Sequence, residues 1–178
     1  MSKKKSLIIS ILMFLVLLTH GSFVYSASPW ILTKPLKDIS AISVSVNKLD
    51  PDIENKRGLT REQIRTDIEL RLKKAGIKVV SRDESFKLRG SPYLYVTLHT
   101  FYNSVFPGAV AFNIRISLNQ NVWLERNPGE IVFGADTYWE EYLGLVGEEN
   151  IASIRDRIID LVDEFIIDYL SVNPRWEK

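Results

Sequence analysis

The 178-residue chain contains no cysteine. That excludes disulfides, thiol nucleophiles and thiolate metal sites. It also excludes a lipid anchor of the kind attached to a cysteine just behind an export signal. Histidine is nearly as scarce, with only His20 and His99. A zinc site built on two or more imidazoles is impossible if His20 is removed with an export signal. Charge of neither sign is in surplus, with 23 basic against 22 acidic residues. Nothing therefore marks a nucleic-acid or anionic-lipid binder. Glycine-rich signatures are missing as well. There is no G-x-G-x-x-G, no P-loop and no G-x-S-x-G turn to present a nucleophilic serine. Ser91, in Gly90-Ser91-Pro92, lacks the second glycine. His99 reads as a strand residue, without the partners of a Ser-His-Asp triad.

What is present begins with an export pattern. Lys3, Lys4 and Lys5 precede an apolar run over 7–18 broken only by Ser10, and Val24-Tyr25-Ser26 follows. Small residues at Val24 and Ser26 place cleavage after Ser26. A cut after Ala27 would put bulky Tyr25 at the constrained third position. An uncleaved anchor is the alternative, but the apolar core has about 12 residues where a spanning helix needs about 20. Losing the three lysines moves the formal charge from +1 to −2. The expectation is a periplasmic or secreted protein: signal over 1–26, extended lead-in over 27–37, one domain over 38–173 and a tail over 174–178. About 150 residues bury roughly two-thirds of the unfolded surface, enough for one core.

Hydrophobic periodicity predicts the elements. Residues 39–47 alternate, with Ile42, Val44 and Val46 on one face, and read as a half-buried strand. Residues 49–58 read as a polar loop. Its Asp50, Asp52 and Glu54 resemble the start of a calcium loop but lack the turn glycine, so a solvated loop is expected. Thr60 and Gln63 form a capping box, with Leu59 placed to staple onto Ile64. Ile64, Ile68, Leu72 and Ala75 then give a helical stripe, and Gly76 supplies a left-handed stop onto which Ile77 folds back. Asp67 with Arg71, and Glu69 with Lys73, are i,i+4 pairs.

Residues 77–80 read as a short strand and 81–92 as turn. Residues 93–102, 109–124 and 131–143 read as three strands of an antiparallel meander. Hairpin turns are expected over 103–108 and at Asn127-Pro128-Gly129, with a bulge near Asn119-Gln120-Asn121. In the last strand Ile131, Phe133, Ala135 and Trp139 are assigned inward. Gly144 and Gly147 are read as ending it. Residues 150–172 form a long amphipathic helix, with Ile151, Ile154, Ile158, Leu161, Val162, Phe165, Tyr169 and Leu170 on one side. Asp156, Asp160, Asp163, Glu164 and Asp168 lie opposite. The fold class is therefore α+β, a two-layer sandwich: strand-helix-strand, a three-strand antiparallel meander and a long C-terminal helix.

The candidate site is a sheet face. Opposite Leu94, Val96 and Leu98 lie Tyr93, Tyr95, His99 and Phe101. Pairing in the meander adds Asn113, Arg115, Asp136 and Tyr138. Aromatics with an arginine on a wet sheet face suit a contact surface, because they bring large area at low entropy cost. Cover by residues 28–37 is the competing reading. Asp136, Glu140 and Glu141 are the available carboxylates. Asp136 and Glu140 would share a face about 13 Å apart, beyond the 6.5–9.5 Å of inverting glycosidases, and partnership with Arg115 or Arg126 is the plainer role.

The helix ending Lys-Lys-Ala-Gly-Ile-Lys-Val-Val, the Tyr-Leu-Tyr-Val strand, the meander and the closing helix resemble small exported bacterial envelope proteins. Their order is similar to the amino-terminal domain of TolB and to CsgG-like curli-secretion accessory domains. The resemblance implies helices packed on one sheet and a role in protein contact or assembly. No site residue carries over. The expected function is a non-enzymatic binding or assembly accessory protein without cofactor or metal. Its partner would be an envelope protein or a second copy, with no nucleic acid and no stable membrane anchor. The alternative is a small-ligand binder with an apolar pocket lined by Phe112, Phe133 and Trp139.

Overall fold

A computed structural model describes residues 33–56, 59–102 and 108–174. The export signal, its cleavage site, most of the 103–108 turn and the last four residues lie outside the described residues. The sheet holds four strands in the order β1-β2-β3-β4: Ser43–Val46, Tyr93–Tyr102, Ala109–Leu124 and Asn127–Gly147. β1 pairs parallel to β2, while β2–β3 and β3–β4 are antiparallel. The parallel pair needs a crossover, and helix α2 (Arg61–Lys74) lies within it. Short helices α1 (Pro51–Lys56) and α3 (Arg82–Ser85) flank α2, and α4 (Ile154–Val172) closes the chain. The two-layer α+β architecture is the one the periodicity predicts.

Helix α2 forms where its end signals say. The Gln63 amide donates to Thr60 Oγ1 at 3.2 Å, and the Thr60 amide donates back to Gln63 Oε1 at 3.3 Å. Such a cap is worth about 1 kcal/mol. At the other end Gly76 takes φ 67°, and the Ile77 amide reaches back to the Leu72 carbonyl at 2.9 Å. Ile64, Ile68 and Leu72 are buried. On α4 the apolar stripe Ile154, Ile158, Leu161, Val162, Phe165, Ile166 and Tyr169 is buried. Both helices cover the inner sheet face of Leu94, Val96, Leu98, Phe112, Ile114, Ile116 and Leu118, and together these residues make the core.

Ion pairs join the two helices. Arg71 Nε donates to Asp163 Oδ1 at 2.6 Å, and Arg155 Nη2 donates to Asp67 Oδ1 at 2.8 Å. Asp67 and Arg71 therefore reach across to α4 rather than pairing within α2, because α4 offers each a partner in fork geometry. Glu69 and Lys73 do pair, at 3.5 Å.

Six further expectations change. Residues 51–56 are helical, not loop, since Leu49 and Ile53 are buried in the core and anchor the turn. β1 is shorter than the alternation suggested, and residues 77–80 give only one parallel bridge, Ile42 with Val79. The last helix begins as a 3-10 turn over Glu148–Ser153. The β3–β4 turn is Glu125-Arg126, because Leu124 already pairs with Asn127. Gly144 does not end β4. It sits opposite Phe112, where a Cβ would come within 2.7 Å of the ring, so it makes room for an aromatic.

Candidate contact surface

Strand pairing places the predicted surface residues in rows across β2, β3 and β4. Tyr95, Ser117 and Trp139 form one row, then Thr97, Arg115 and Glu141, then His99, Asn113 and Leu143, then Phe101, Ala111 and Leu145. Alternation sends these side chains away from the helices. Exposure rises along the sheet. Tyr93 and Tyr95 are half-buried. Trp139 is 51% exposed, Phe101 59%, Leu143 74% and Leu145 78%. Scattered apolar residues are ordinary on a surface, whereas adjacent ones on a single sheet face are not.

Arg115 is the polar centre. Its guanidinium lies 3.0 Å from Asp136 and 3.5 Å from Glu141, and 5.3 Å from the Trp139 ring centroid. Asn113 Nδ2 adds a bond to Glu141 at 2.9 Å. One guanidinium thus holds two carboxylates flat against the sheet. Each such exposed pair is worth about 0.2–1 kcal/mol. Tyr93 is stacked under Arg82, whose guanidinium carbon stands 3.7 Å from the ring centroid.

Tyr138 is not on this face. It is 3% exposed and packs edge-on to Phe165 in the core. Trp139 occupies the outer position instead. The cause is the bulge, which the sequence does signal: Leu118 pairs with Tyr138 but Asn119 pairs with Asp136, leaving Thr137 extra. One extra residue reverses which side chains face the core. Asp136 and Glu140 consequently lie on opposite faces. Ile131, Phe133 and Trp139 are exposed, Phe133 at 76%, rather than inward. Beyond Asn119 the β3–β4 ribbon has no β2 beside it, so alternation there has no core to face. Phe112 sits on the inner face and Trp139 on the outer, so these residues with Phe133 do not line one pocket.

The described part of the lead-in does not cover the surface. Leu36 is fully buried in the core, and its carbonyl accepts from Asn173 Nδ2 at 2.8 Å. Gln120 Nε2 donates to the Pro35 carbonyl at 3.1 Å.

On the inner side, Tyr138 Oη lies 2.9 Å from Glu140 Oε1 and 3.0 Å from Asp168 Oδ2. One hydroxyl proton cannot serve both carboxylates. Burial, followed by the charges of Glu164 and Asp168, pushes the Glu140 carboxyl up, while the Tyr138 bond opposes this. Burial and the two acids raise the Tyr138 phenol well above its usual range. Sequence reasoning missed this cluster because it spans 30 residues and depends on the bulge. Among the described residues no group of three His, Asp or Glu side chains is arranged to hold a metal. The Glu54 carboxylate, a residue of the calcium-like run, accepts from the Arg61 amide at 3.3 Å.

Among the described residues no helix is long and apolar enough to cross a membrane. No protein-family model matches the chain and no curated protein matches it. Solved structures overlap it weakly. The rare lipoprotein B from Shewanella oneidensis is 12% identical over 74% of this chain and 95% of its own, with a TM-score of 0.35. A minor lipoprotein from Acinetobacter baumannii is 9% identical over 75% and 93%, with a TM-score of 0.29. Overlaps at this level do not establish a shared role.

Proposed function

We propose that this chain is an exported, non-enzymatic binding or assembly accessory protein of the bacterial envelope, which acts through the outer face of its sheet. The observation that carries this reading is the run of Trp139, Leu143, Leu145 and Phe101 exposed side by side around the Arg115 cluster. Large apolar groups around a neutralised arginine are what a partner surface desolvates at low cost. The export pattern in residues 1–26 supports the location. The resemblance of the element order to TolB-like and CsgG-like domains supports a contact role. Asp136 and Glu141 on the outer face are both held by Arg115. That arrangement suits structure rather than acid–base work. The partner is another envelope protein or a second copy.

Photo-crosslinking in cells tests this. A crosslinker at Tyr95 or Leu143 is expected to give a discrete adduct, and one at Asp160 on the wet side of α4 none. A folded, exported protein that yields no adduct from either sheet position would overturn the proposal.

A further inference from the structure

The opposite end of the fold holds a second unfinished feature, independent of the outer sheet face. β1 is an edge strand. Some of its backbone groups face β2: the Ser43 amide donates to the Pro92 carbonyl at 3.3 Å, and the Asn47 amide to the Val96 carbonyl at 2.9 Å. Alternate residues Ile42, Val44 and Val46 turn theirs the other way. Those of Ile42 are used. Its amide donates to the Lys78 carbonyl at 2.9 Å, and its carbonyl accepts from the Val80 amide at 3.0 Å. A fifth strand therefore starts at residues 78–80. It stops there because Ser81 caps α3, its hydroxyl accepting from the Glu84 amide at 3.2 Å, and the chain turns off the sheet.

Among the described residues nothing fills the place of that fifth strand beside Val44 and Val46. Two adjoining cavities of about 390 and 120 Å³ lie there, sharing Val44 and Arg65 in their walls. The wall carboxylates are already engaged: Glu62 with Arg65 at 2.6 Å, Glu69 with Lys73 at 3.5 Å, and Glu84 with the Ser81 amide at 2.8 Å. Donors are left over. Arg82 Nη1 is buried with no partner among the described residues. Arg61 comes only to 3.8 Å of Glu62. Among the described residues the gap thus presents unpaired backbone groups of Val44 and Val46 beside the Arg82 and Arg61 guanidinium groups.

We propose that the gap beside Val44 and Val46 is a docking site for an extended, carboxylate-bearing peptide segment of another protein, which adds there as the fifth strand. Backbone bonds to Val44 and Val46 give the pairing. Carboxylates alternating along the segment meet Arg61 and Arg82 through charge-assisted bonds. Bound this way, the segment completes a strand that the chain itself begins.

The test uses the full chain and a fluorescein-labelled peptide, Thr-Val-Glu-Val-Glu-Val-Thr, read by fluorescence anisotropy. Controls are the same peptide with lysine for glutamate and one N-methylated at its central amides. The acidic peptide is expected to bind and to slow hydrogen exchange at the Val44 and Val46 amides. Both controls should bind at least about tenfold more weakly, the scale of losing one charge-assisted or paired set of bonds. Arg61→Glu should weaken binding about tenfold with an unchanged thermal melt. If that variant fails to fold, the N-methylated control carries the comparison on the unaltered protein. No binding at about 1 mM, equal binding of acidic and basic peptides, or protection at Leu143 and Leu145 instead would each overturn the proposal. So would protection of Val44 and Val46 that depends on protein concentration without peptide, since a second copy would then be the occupant.

Discussion

The inner and outer faces of β2, β3 and β4 are built from alternate residues of the same strands, yet they meet opposite surroundings. Leu94, Val96, Ile114, Ile116 and Leu118 are sealed beneath α2 and α4. Leu143, Leu145 and Phe101 are as apolar and stand in water. Burial of each inner side chain contributes about 1.5–3 kcal/mol. The outer ones contribute little of that, so the folding of this domain does not explain them. The difference teaches that apolar residues on this sheet hold the fold on one side and stand exposed on the other, which is the side the proposed contact role uses.

The largest expected effect lies at the centre of the inner face. Phe165 is fully buried and touches both Tyr138 and Tyr169. Phe165→Ala should cost about 3–5 kcal/mol, read as a fall in the urea midpoint. Next is Gly144→Val, whose Cβ would stand 2.7 Å from both the Phe112 and Tyr142 rings. Overpacking of this kind costs about 1–3 kcal/mol. A loss under about 0.5 kcal/mol would show that the inner face tolerates strain and would blunt the contrast. Gly76→Val forces a branched residue into φ 67° and should cost about 1 kcal/mol or more in a thermal melt.

Titration separates the layers further. The Glu140 carboxyl is raised, chiefly by burial. Its contribution is therefore complete below the unfolded carboxylate value and lost as pH rises through the folded one. Asp163 is lowered by its bonds to Arg71. Its contribution is present above the unfolded value and lost as pH falls through the folded one. Glu140→Gln should therefore raise stability at neutral pH relative to pH 4, and Asp163→Asn should lower it. Denaturant midpoints across that range check both signs.

The smallest expected effect is the most informative. Leu143→Ser and Leu145→Ser should shift stability by no more than about 0.5 kcal/mol while reducing the crosslink from Tyr95. A large stability loss would mean that the outer face belongs to the core after all.

Much of this was legible from the residues alone. The capping box at Thr60, the stop at Gly76 and the bounds of β2 and β3 follow from local chemistry. The stripe on α4 is equally plain, because a period of 3.6 needs no knowledge of its neighbours. The bulge was visible near Asn119, but its consequence was not. A single extra residue at Thr137 moved Tyr138 into the core and Trp139 out of it, and parity along a strand can be read only up to such a point. Gly144 looked like punctuation, since nothing nearby in sequence announces the Phe112 ring.

Sequence by itself determined the order of the long elements, α2, β2, β3, β4 and α4, and the identity of the helical core stripes. It also determined the absence of thiol chemistry and the scarcity of imidazole. Tertiary structure alone decided which carboxylates meet which guanidinium groups, because Asp67 finds Arg155 and Arg71 finds Asp163 only after the helices pack. It decided that Tyr138 bridges Glu140 and Asp168. It also decided that residues 78–80 add only a single bridge, at Ile42, to the edge of β1. Local patterning sets what a segment prefers to be. Long-range pairing sets which of its groups are satisfied and which are left over.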